Sequence, residues 1–243
     1  MKNILLASFA LVPLISAPAY AQGIEAEVDL FEMQLDKGDD AFVFDSTFSI
    51  GDGVNGAVLK LEGGSEAGPD LDEVGAQLLY TRALGPGTTL LAGVRHDFLP
   101  GKDNNYAALA IEQAIGEIVE AESYFYLSEH GDATVSAQIL IGAPLTESLT
   151  FEPRVSAEWS AQDILEEDIA SGLVGLSLSA RLRQAIGPVF NIYAGVIHDR
   201  LLGDTRDIAR AAGDSGNATK AIIRHGRGIL RRPVRRGREF ARA

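Results

Sequence analysis

The sequence predicts an all-β fold: an antiparallel transmembrane β-barrel of the outer-membrane type, with about twelve strands. Three observations carry this prediction. The N-terminus has the pattern of a secretion signal, the strands have one apolar and one polar or charged face, and the turns alternate between short and long. Several strands reach the length of about 9–11 residues that a tilted strand needs to cross a bilayer.

Residues 1–21 are predicted to be a secretory signal peptide. Lys2 supplies a positive start, an apolar run extends from Ile4 to Ala17, and Ala19-Tyr20-Ala21 offers the small residues that a signal peptidase recognises. The apolar run is short for a spanning helix, which needs about 20 residues. We therefore expect cleavage after Ala21 and a barrel over residues 22–217. The chain contains no Cys, which excludes disulfides and thiolate sites.

The run from Leu149 to Trp159 shows the strand pattern most clearly. Phe151 and Trp159 stand on one parity, whereas Glu152 and Arg154 stand on the other. A period of two residues places these sets on opposite faces of one strand. The alternation recurs in residues 90–98, 119–127, 133–143, 174–183 and 190–199, and is less clean in residues 24–35, 41–50, 54–62, 71–84 and 106–115.

The connections between these strands fall into two alternating sets. Short turns lie at residues 85–87, 115–117, 143–146 and 186–188, and mostly longer polar segments at residues 63–70, 100–105, 128–132, 160–171 and 201–217. Outer-membrane barrels have this asymmetry, with short periplasmic turns and longer outer loops. A soluble up-and-down barrel has no reason to sort its loops in this way. A soluble periplasmic β-sandwich is the alternative fold, which detergent-dependent extraction and heat-modifiable gel mobility would distinguish.

The apolar parity is predicted to face lipid, because Arg or Lys at mid-bilayer costs about 2–4 kcal/mol on that face. The charged residues of the other parity then line the lumen: Arg95, Glu120, Glu122, Glu152, Arg154, Glu158, Arg181 and Arg183. Two interpretations remain open. The charges either select what passes through an open conduit, or pair into a closed plug that holds the wall together.

The net charge of −13 is unevenly distributed, because basic residues concentrate after Lys220. An acidic body repels phosphates, so no nucleic-acid partner is predicted for it. The basic tail, residues 218–243, has three interpretations. It binds anionic lipopolysaccharide or nucleic acid, it is disordered and inert, or a frameshift has replaced the closing strand. The abrupt change of charge favours the frameshift.

The stretch from residue 93 to 213, extended upstream to residue 77, resembles the copper resistance protein B family of bacterial outer membranes. The matching motifs include Gly93-Val94-Arg95-His96-Asp97-Phe98, Leu127-Ser128-Glu129-His130-Gly131-Asp132 and Phe151-Glu152-Pro153-Arg154, with further matches at residues 100–101, 106–109, 172–173, 193–196, 203–205 and 209–213. The resemblance implies an outer-membrane barrel that helps bind or expel excess copper. It also implies copper as the bound metal, and outer-membrane lipid and periplasmic copper-handling proteins as partners.

The sequence departs from the family pattern at both ends. Members often carry a Met- and His-rich segment before the barrel, whereas residues 22–40 hold only Met33 and no His. Family barrels end in a strand that closes on an aromatic residue, whereas this chain ends in an Arg-rich segment, residues 229–243. Copper binding by an N-terminal segment is therefore not carried over.

His96, His130 and His198 are candidate Cu(II) ligands, because the predicted topology places all three at the outer rim. The alternative is that His96 and His198 share the lipid-facing phase and are ordinary interfacial rings. No enzyme is predicted. The sequence lacks a nucleophile elbow, and adjacent residues such as Ser128 and Glu129 point to opposite faces on a strand.

The predicted function is copper resistance or homeostasis at the outer membrane of a Gram-negative bacterium, by copper binding or passage through a charged lumen. This function rests on the resemblance. The alternative is a general outer-membrane channel or structural barrel with no specific metal role. The sequence by itself supports a membrane barrel with a charged lumen.

Overall fold

A computed structural model describes residues 23–35, 41–65, 71, 73–99, 102–187 and 190–227. In these ranges the chain forms thirteen strands and one α-helix, α1 (Gly203–Ala212), with a short 3-10 turn at Leu165–Glu167. The strands are β1 Gly23–Leu35, β2 Ala41–Gly51, β3 Asn55–Gly64, β4 Glu73–Gly85, β5 Thr88–Leu99, β6 Lys102–Ile115, β7 Val119–Ser128, β8 Ala133–Ile141, β9 Ala143–Pro144, β10 Leu149–Ser160, β11 Gly172–Ile186, β12 Phe190–Leu201 and β13 Asn217–Arg227.

Antiparallel pairing joins the strands into one closed sheet. The two-residue β9 continues the line of β8, and both pair with β10. β13 pairs with β12 and also with β1, where Met33–Leu35 lie opposite Ala221–Ile223. The barrel therefore has twelve strand positions, an even number as expected for such barrels. The predicted fold class and strand number are confirmed.

The outer surface of the barrel is apolar, as the predicted lipid-facing parity requires. Leu78 is 58% exposed and Val94 is 59% exposed, whereas Leu79, one position along β4, is 1% exposed. The same face carries Tyr80, Leu109, Phe125, Ile139, Phe151, Val155, Trp159, Leu178, Leu182 and Val196, all exposed. In a soluble barrel these side chains would be inside, because water-exposed apolar surface is costly.

The turns are sorted to the two ends of the barrel. One end, called the turn end, has tight connections, and Gly87 and Gly116 adopt the positive φ angles of 76° and 68° that these turns require. The opposite end, called the loop end, carries the segment with the 3-10 turn and the segment with α1. α1 packs at this rim, where buried Thr205 accepts a hydrogen bond of 2.9 Å from the backbone N–H of Ala170. No helix in the described ranges is long and apolar enough to cross a membrane.

The last strand corrects the predicted end of the barrel at residue 217. β13 continues to Arg227 and pairs with β12 from Asn217 to Arg227. The basic residues do not interrupt the alternation: Ile222 is fully buried inside, whereas Ile223 is 52% exposed outside. The closing strand is therefore present. The predicted signal peptide, residues 1–21, and residues 228–243 lie outside the described residues, so their interpretations stay predictions.

Candidate functional site in the barrel lumen

A cavity of about 550 Å³ extends from the loop end into the middle of the barrel. Among the described residues that line it, eight are acidic and three are basic. The basic residues are Lys60, Arg95 and Arg154, and the acidic residues are Asp45, Glu62, Glu73, Asp97, Glu122, Asp132, Glu158 and Glu167. A concave surface with this excess of negative charge raises the local concentration of cations.

Arg95 on β5 is held by carboxylates from three strands. Its Nη1 lies 2.6 Å from Glu62 Oε1, its Nε lies 2.6 Å from Asp97 Oδ1, and its Nη2 lies 3.8 Å from Glu73 Oε1. The guanidinium also covers the ring of Tyr126 at 5.2 Å. One cation balances only part of this charge, so the group fixes Arg95 and leaves the wall negative.

The side chain of Lys60 on β3 contacts residues of the more distant strands β6 and β7. Its Nζ lies 3.0 Å from Glu112 Oε1 on β6 and contacts the hydroxyl of Tyr124 on β7. The Tyr124 hydroxyl donates a hydrogen bond of 2.8 Å to the same carboxylate oxygen. These contacts join strands that are not neighbours, so they cross part of the lumen at its middle.

An apolar cluster fills the inside of the barrel near Tyr124. Leu79, Leu91, Ala108 and Ala110 pack with this ring, and each of the five is at most 6% exposed. The sequence predicts a polar interior, and neither this cluster nor the role of Lys60 was among the predictions. The signal was present in the sequence, because Leu79 on β4, Leu91 on β5, and Ala108 and Ala110 on β6 all fall on the inner parity of their strands.

The wall formed by β10, β11 and β12 is rich in arginine. Arg183 donates from Nε to Glu152 Oε1 at 2.7 Å and from Nη1 to Asn191 Oδ1 at 3.1 Å. Arg181 and Arg183 both cover the ring of Tyr193, at 5.4 and 5.1 Å. Arg154 lies on β10, which pairs with β11. Its Nε is buried with no hydrogen-bond partner among the described residues.

The remaining predicted lumen residues are Glu120, Glu122 and Glu158. Glu122 accepts a hydrogen bond from the side-chain amide of Gln138, while Glu120 is exposed near the start of β7 at the turn end. Glu158 lies beside a bulge in the β10–β11 pairing and also lines a second cavity of about 280 Å³ with Asp199. Only Glu122 and Glu158 of these three line the larger cavity.

The three candidate histidines occupy separate places. His96 Nδ1 lies 2.8 Å from Asn105 Oδ1, and its ring meets Phe98 edge-on at 4.3 Å. His198 Nδ1 lies 2.7 Å from Thr219 Oγ1 on the far side of the barrel. His130 lies in the turn after β7. Over the ranges that the structure describes, no group of three or more His, Cys, Asp or Glu side chains is arranged to hold a metal ion.

The segment between β10 and β11 folds over the mouth of the cavity. Ile164 pairs with Ile169 in an isolated bridge, and both line the cavity. The Ser171 N–H donates to Asp163 Oδ1 at 2.7 Å, which lowers the pKa of that carboxyl. Burial, assisted by the charges of Asp132 and Asp97, raises the pKa of Glu167.

Solved structures of porins share this architecture. The NanC porin superposes with a TM-score of 0.53 at 11% identity, over 83% of this chain and all of that one. The KdgM porin in complex with disordered oligogalacturonate superposes with a TM-score of 0.50 at 6% identity, over 82% of this chain and 96% of that one. At these identities the likeness shows the fold and nothing about the ligand.

Sequence comparison identifies relatives and a family. Copper resistance protein B of Escherichia coli is 30% identical over 77% of this chain and 63% of its own length. A copper resistance protein B homolog of Pseudomonas syringae pv. tomato is 28% identical over 75% of this chain and 62% of its own length. The chain thus spans less than two thirds of these relatives. The model of the copper resistance protein B precursor family matches residues 23–224. With its twelve-position barrel and this match over most of its length, the chain belongs to the copper resistance protein B family.

Proposed function

We propose that this protein contributes to copper resistance at the outer membrane of a Gram-negative bacterium by drawing copper into its lumen. Family membership supports the link to copper, and the porin-like fold supports the location. The observation that carries the proposal is the cavity at the loop end, whose lining has eight acidic and three basic residues. The loop end is the outer mouth in this proposal, as in other outer-membrane barrels.

The chemistry of the cavity suits copper as cargo. Carboxylate oxygens bind divalent metals, and Cu(II) is the most strongly held of the divalent first-row ions at a given nitrogen or oxygen site. The charges of the cavity wall attract the ion before any single ligand binds it. Glu73, Glu158 and Glu167 are the residues we assign to this attraction. The carboxylate of Glu73 lies as far as 3.8 Å from the Arg95 guanidinium. Glu158 and Glu167 form no close ion pair with any of the described residues.

The predicted lumen charges take different parts in this proposal. Arg95, Glu122, Arg154 and Glu158 line the entry cavity, and Arg181, Arg183 and Glu152 form the wall beyond it. Glu120 stands at the inner exit near the turn end. The candidate rim histidines are proposed to act as separate interfacial contacts. Unchanged copper retention in a H96A/H198A variant would end their role as ligands. No catalytic residue is proposed.

A second candidate function is a general channel or structural barrel with no metal role. One observation favours it: the apolar cluster around Leu79 and the contact from Lys60 to Tyr124 occupy part of the lumen. In a barrel filled in this way, the packed side chains of the lumen stabilise the fold and leave little space for a solute to pass. Periplasmic copper-handling partners belong to the first proposal and would meet the turn end.

The experiment compares two triple variants in a deletion strain exposed to copper. E73Q/E158Q/E167Q removes three negative charges from the cavity lining and, among the described residues, breaks no ion pair shorter than 3.8 Å. E117Q/E129Q/E147Q removes three Glu charges that do not line the cavity. We expect the wild type and the second variant to restore copper tolerance, and the first to lose most of it. Equal rescue by both variants, with equal amounts of folded barrel, would overturn the proposal.

A further inference from the structure

The inner limit of the large cavity contains a cation that the described contacts leave unsatisfied. Arg154 lines the cavity, and its Nε is buried without a hydrogen-bond acceptor in the described part of the chain. A guanidinium has five N–H donors in a fixed fork, and buried donors are rarely left without partners. A ligand oxygen that reaches the guanidinium from the cavity would give this cation an acceptor.

The neighbouring charges leave this cation incompletely balanced. The Glu152 carboxylate lies 2.7 Å from Nε of Arg183 and is therefore held by that residue. Glu122 accepts a hydrogen bond from Gln138, and it attracts Arg154 only as a nearby charge. Arg181 repels Arg154 because both are cationic. Glu122 and Glu152 are thus the carboxylates that attract Arg154, and each of them also contacts another side chain.

The cavity thus has opposite charges at its two depths. Glu73, Asp97 and Glu158 lie near the loop-end termini of their strands. Arg154 lies farther from that end on β10, and Arg181 is close to Arg154. A bare divalent cation attracted into the mouth would be repelled at Arg154, and a simple anion would be repelled at the mouth. A small complex that carries both a metal and a free carboxylate matches both depths.

We propose that Arg154 forms an oxyanion subsite that binds the carboxylate of a small copper(II) chelate while the acidic mouth faces the metal. The subsite rests on the proposed function, and it narrows the cargo from copper in general to a carboxylate-bearing copper complex. Arginine suits the task because its fork binds both oxygens of one carboxylate, and a charge-assisted bond of this kind is stronger than a neutral one.

The test is equilibrium dialysis of the purified full-length barrel in detergent, with retained copper measured by mass spectrometry. Copper is offered either as the chloride in a non-coordinating buffer or as copper citrate. The variants are R154Q, R154K, which keeps the charge but loses the planar fork, and R82Q. Arg82 is the matched control, because it is exposed, contacts Asn55 and does not line the cavity.

We expect R154Q to weaken retention of copper citrate by about tenfold or more, as for the loss of a hydrogen bond to a charged group. R154K is expected to be intermediate, R82Q unchanged, and retention of copper chloride equal in all four proteins. Heat-modifiable gel mobility identifies the folded proteins. If R154Q does not fold, the comparison of R154K with R82Q decides.

Two results would overturn this inference. One is copper citrate retention that is the same in the wild type and both Arg154 variants. The other is an equal loss of both copper forms in these variants. Either leaves copper binding itself intact in the wild type. Retention of neither form by the wild type would instead reject the proposed function, so the two failures are distinguishable.

Discussion

The wall formed by β3 to β7 and the wall formed by β10 to β12 carry different inward-facing side chains. On β3 to β7, cations are surrounded by acids, as Arg95 is by Glu62 and Asp97, and an apolar cluster packs beside them. On β10 to β12, arginines stand together over the ring of Tyr193 with Glu152 as the close acidic partner among the described residues. Alternation alone gives both walls an inner face. What that face does depends on which side chains the neighbouring strands bring to it.

The largest effect is expected from breaking the charge group on the acidic wall. R95L leaves Glu62 and Asp97 without their cation, and removal of one partner from a buried ion pair costs about 3–5 kcal/mol. We expect the midpoint of urea unfolding, followed by gel mobility, to fall accordingly. R82L is the control, because Arg82 is exposed and its hydrogen bond goes to Asn55, outside the acidic group. An unchanged midpoint in R95L would show that the acidic wall does not depend on this cation.

The next effect concerns the apolar cluster. L79A removes a side chain that is 1% exposed, and such a truncation in a packed core costs about 2–5 kcal/mol. It also opens space in the lumen, so single-channel conductance should rise. L78A, one position away on the lipid face, is the matched control and should leave conductance unchanged. Equal conductance of both variants would mean that the cluster does not limit the lumen.

A smaller effect is expected on the arginine wall. E152Q removes the carboxylate that Arg183 binds at 2.7 Å, at a cost of about 1–3 kcal/mol. The wall then becomes more positive, and the reversal potential in a salt gradient should shift toward anions. R183Q should shift it toward cations. Shifts of the same sign in both variants would contradict the assignment of this wall to the conducting lumen.

The smallest effect concerns pH at the cavity mouth. The pKa of Glu167 is raised above 4.5 because the folded segment buries it near Asp132 and Asp97, with Arg95 opposing. A raised pKa means that the folded segment is favoured when Glu167 is protonated. That stabilisation is complete below pH 4.5 and is lost as pH rises through the raised value. Conductance should therefore fall as pH is lowered through this window, and E167Q should abolish the dependence.

The depressed pKa of Asp163 acts in the opposite direction. Its bond from the Ser171 N–H stabilises the segment above pH 3.8 and is lost below it, as pH falls through the lowered value. The measurement is therefore kept above pH 4.5. A pH response that persists unchanged in E167Q would assign the effect to another group.

The sequence predicted the wall of the barrel much better than its interior. Phe151 and Trp159 alternate with charges because lipid selects the outer face residue by residue, and the structure follows that pattern. Lys60 and Tyr124 were missed because their contact joins β3 to β7, and strand positions four apart meet only after the barrel curves. The range of β13 was not predicted because the basic composition after residue 217 hid an intact alternation at Ile222 and Ile223.

The pairing of β1 with β13 has a consequence for biogenesis. Met33 lies opposite Ile223, so the first and last strands meet across roughly 190 positions of chain. Contacts this distant in sequence form late, because the entropy of closing the intervening chain is lost before the contact is gained. The barrel cannot close during export of its N-terminal part. Until β13 arrives, two unpaired strand edges remain exposed and require protection from aggregation.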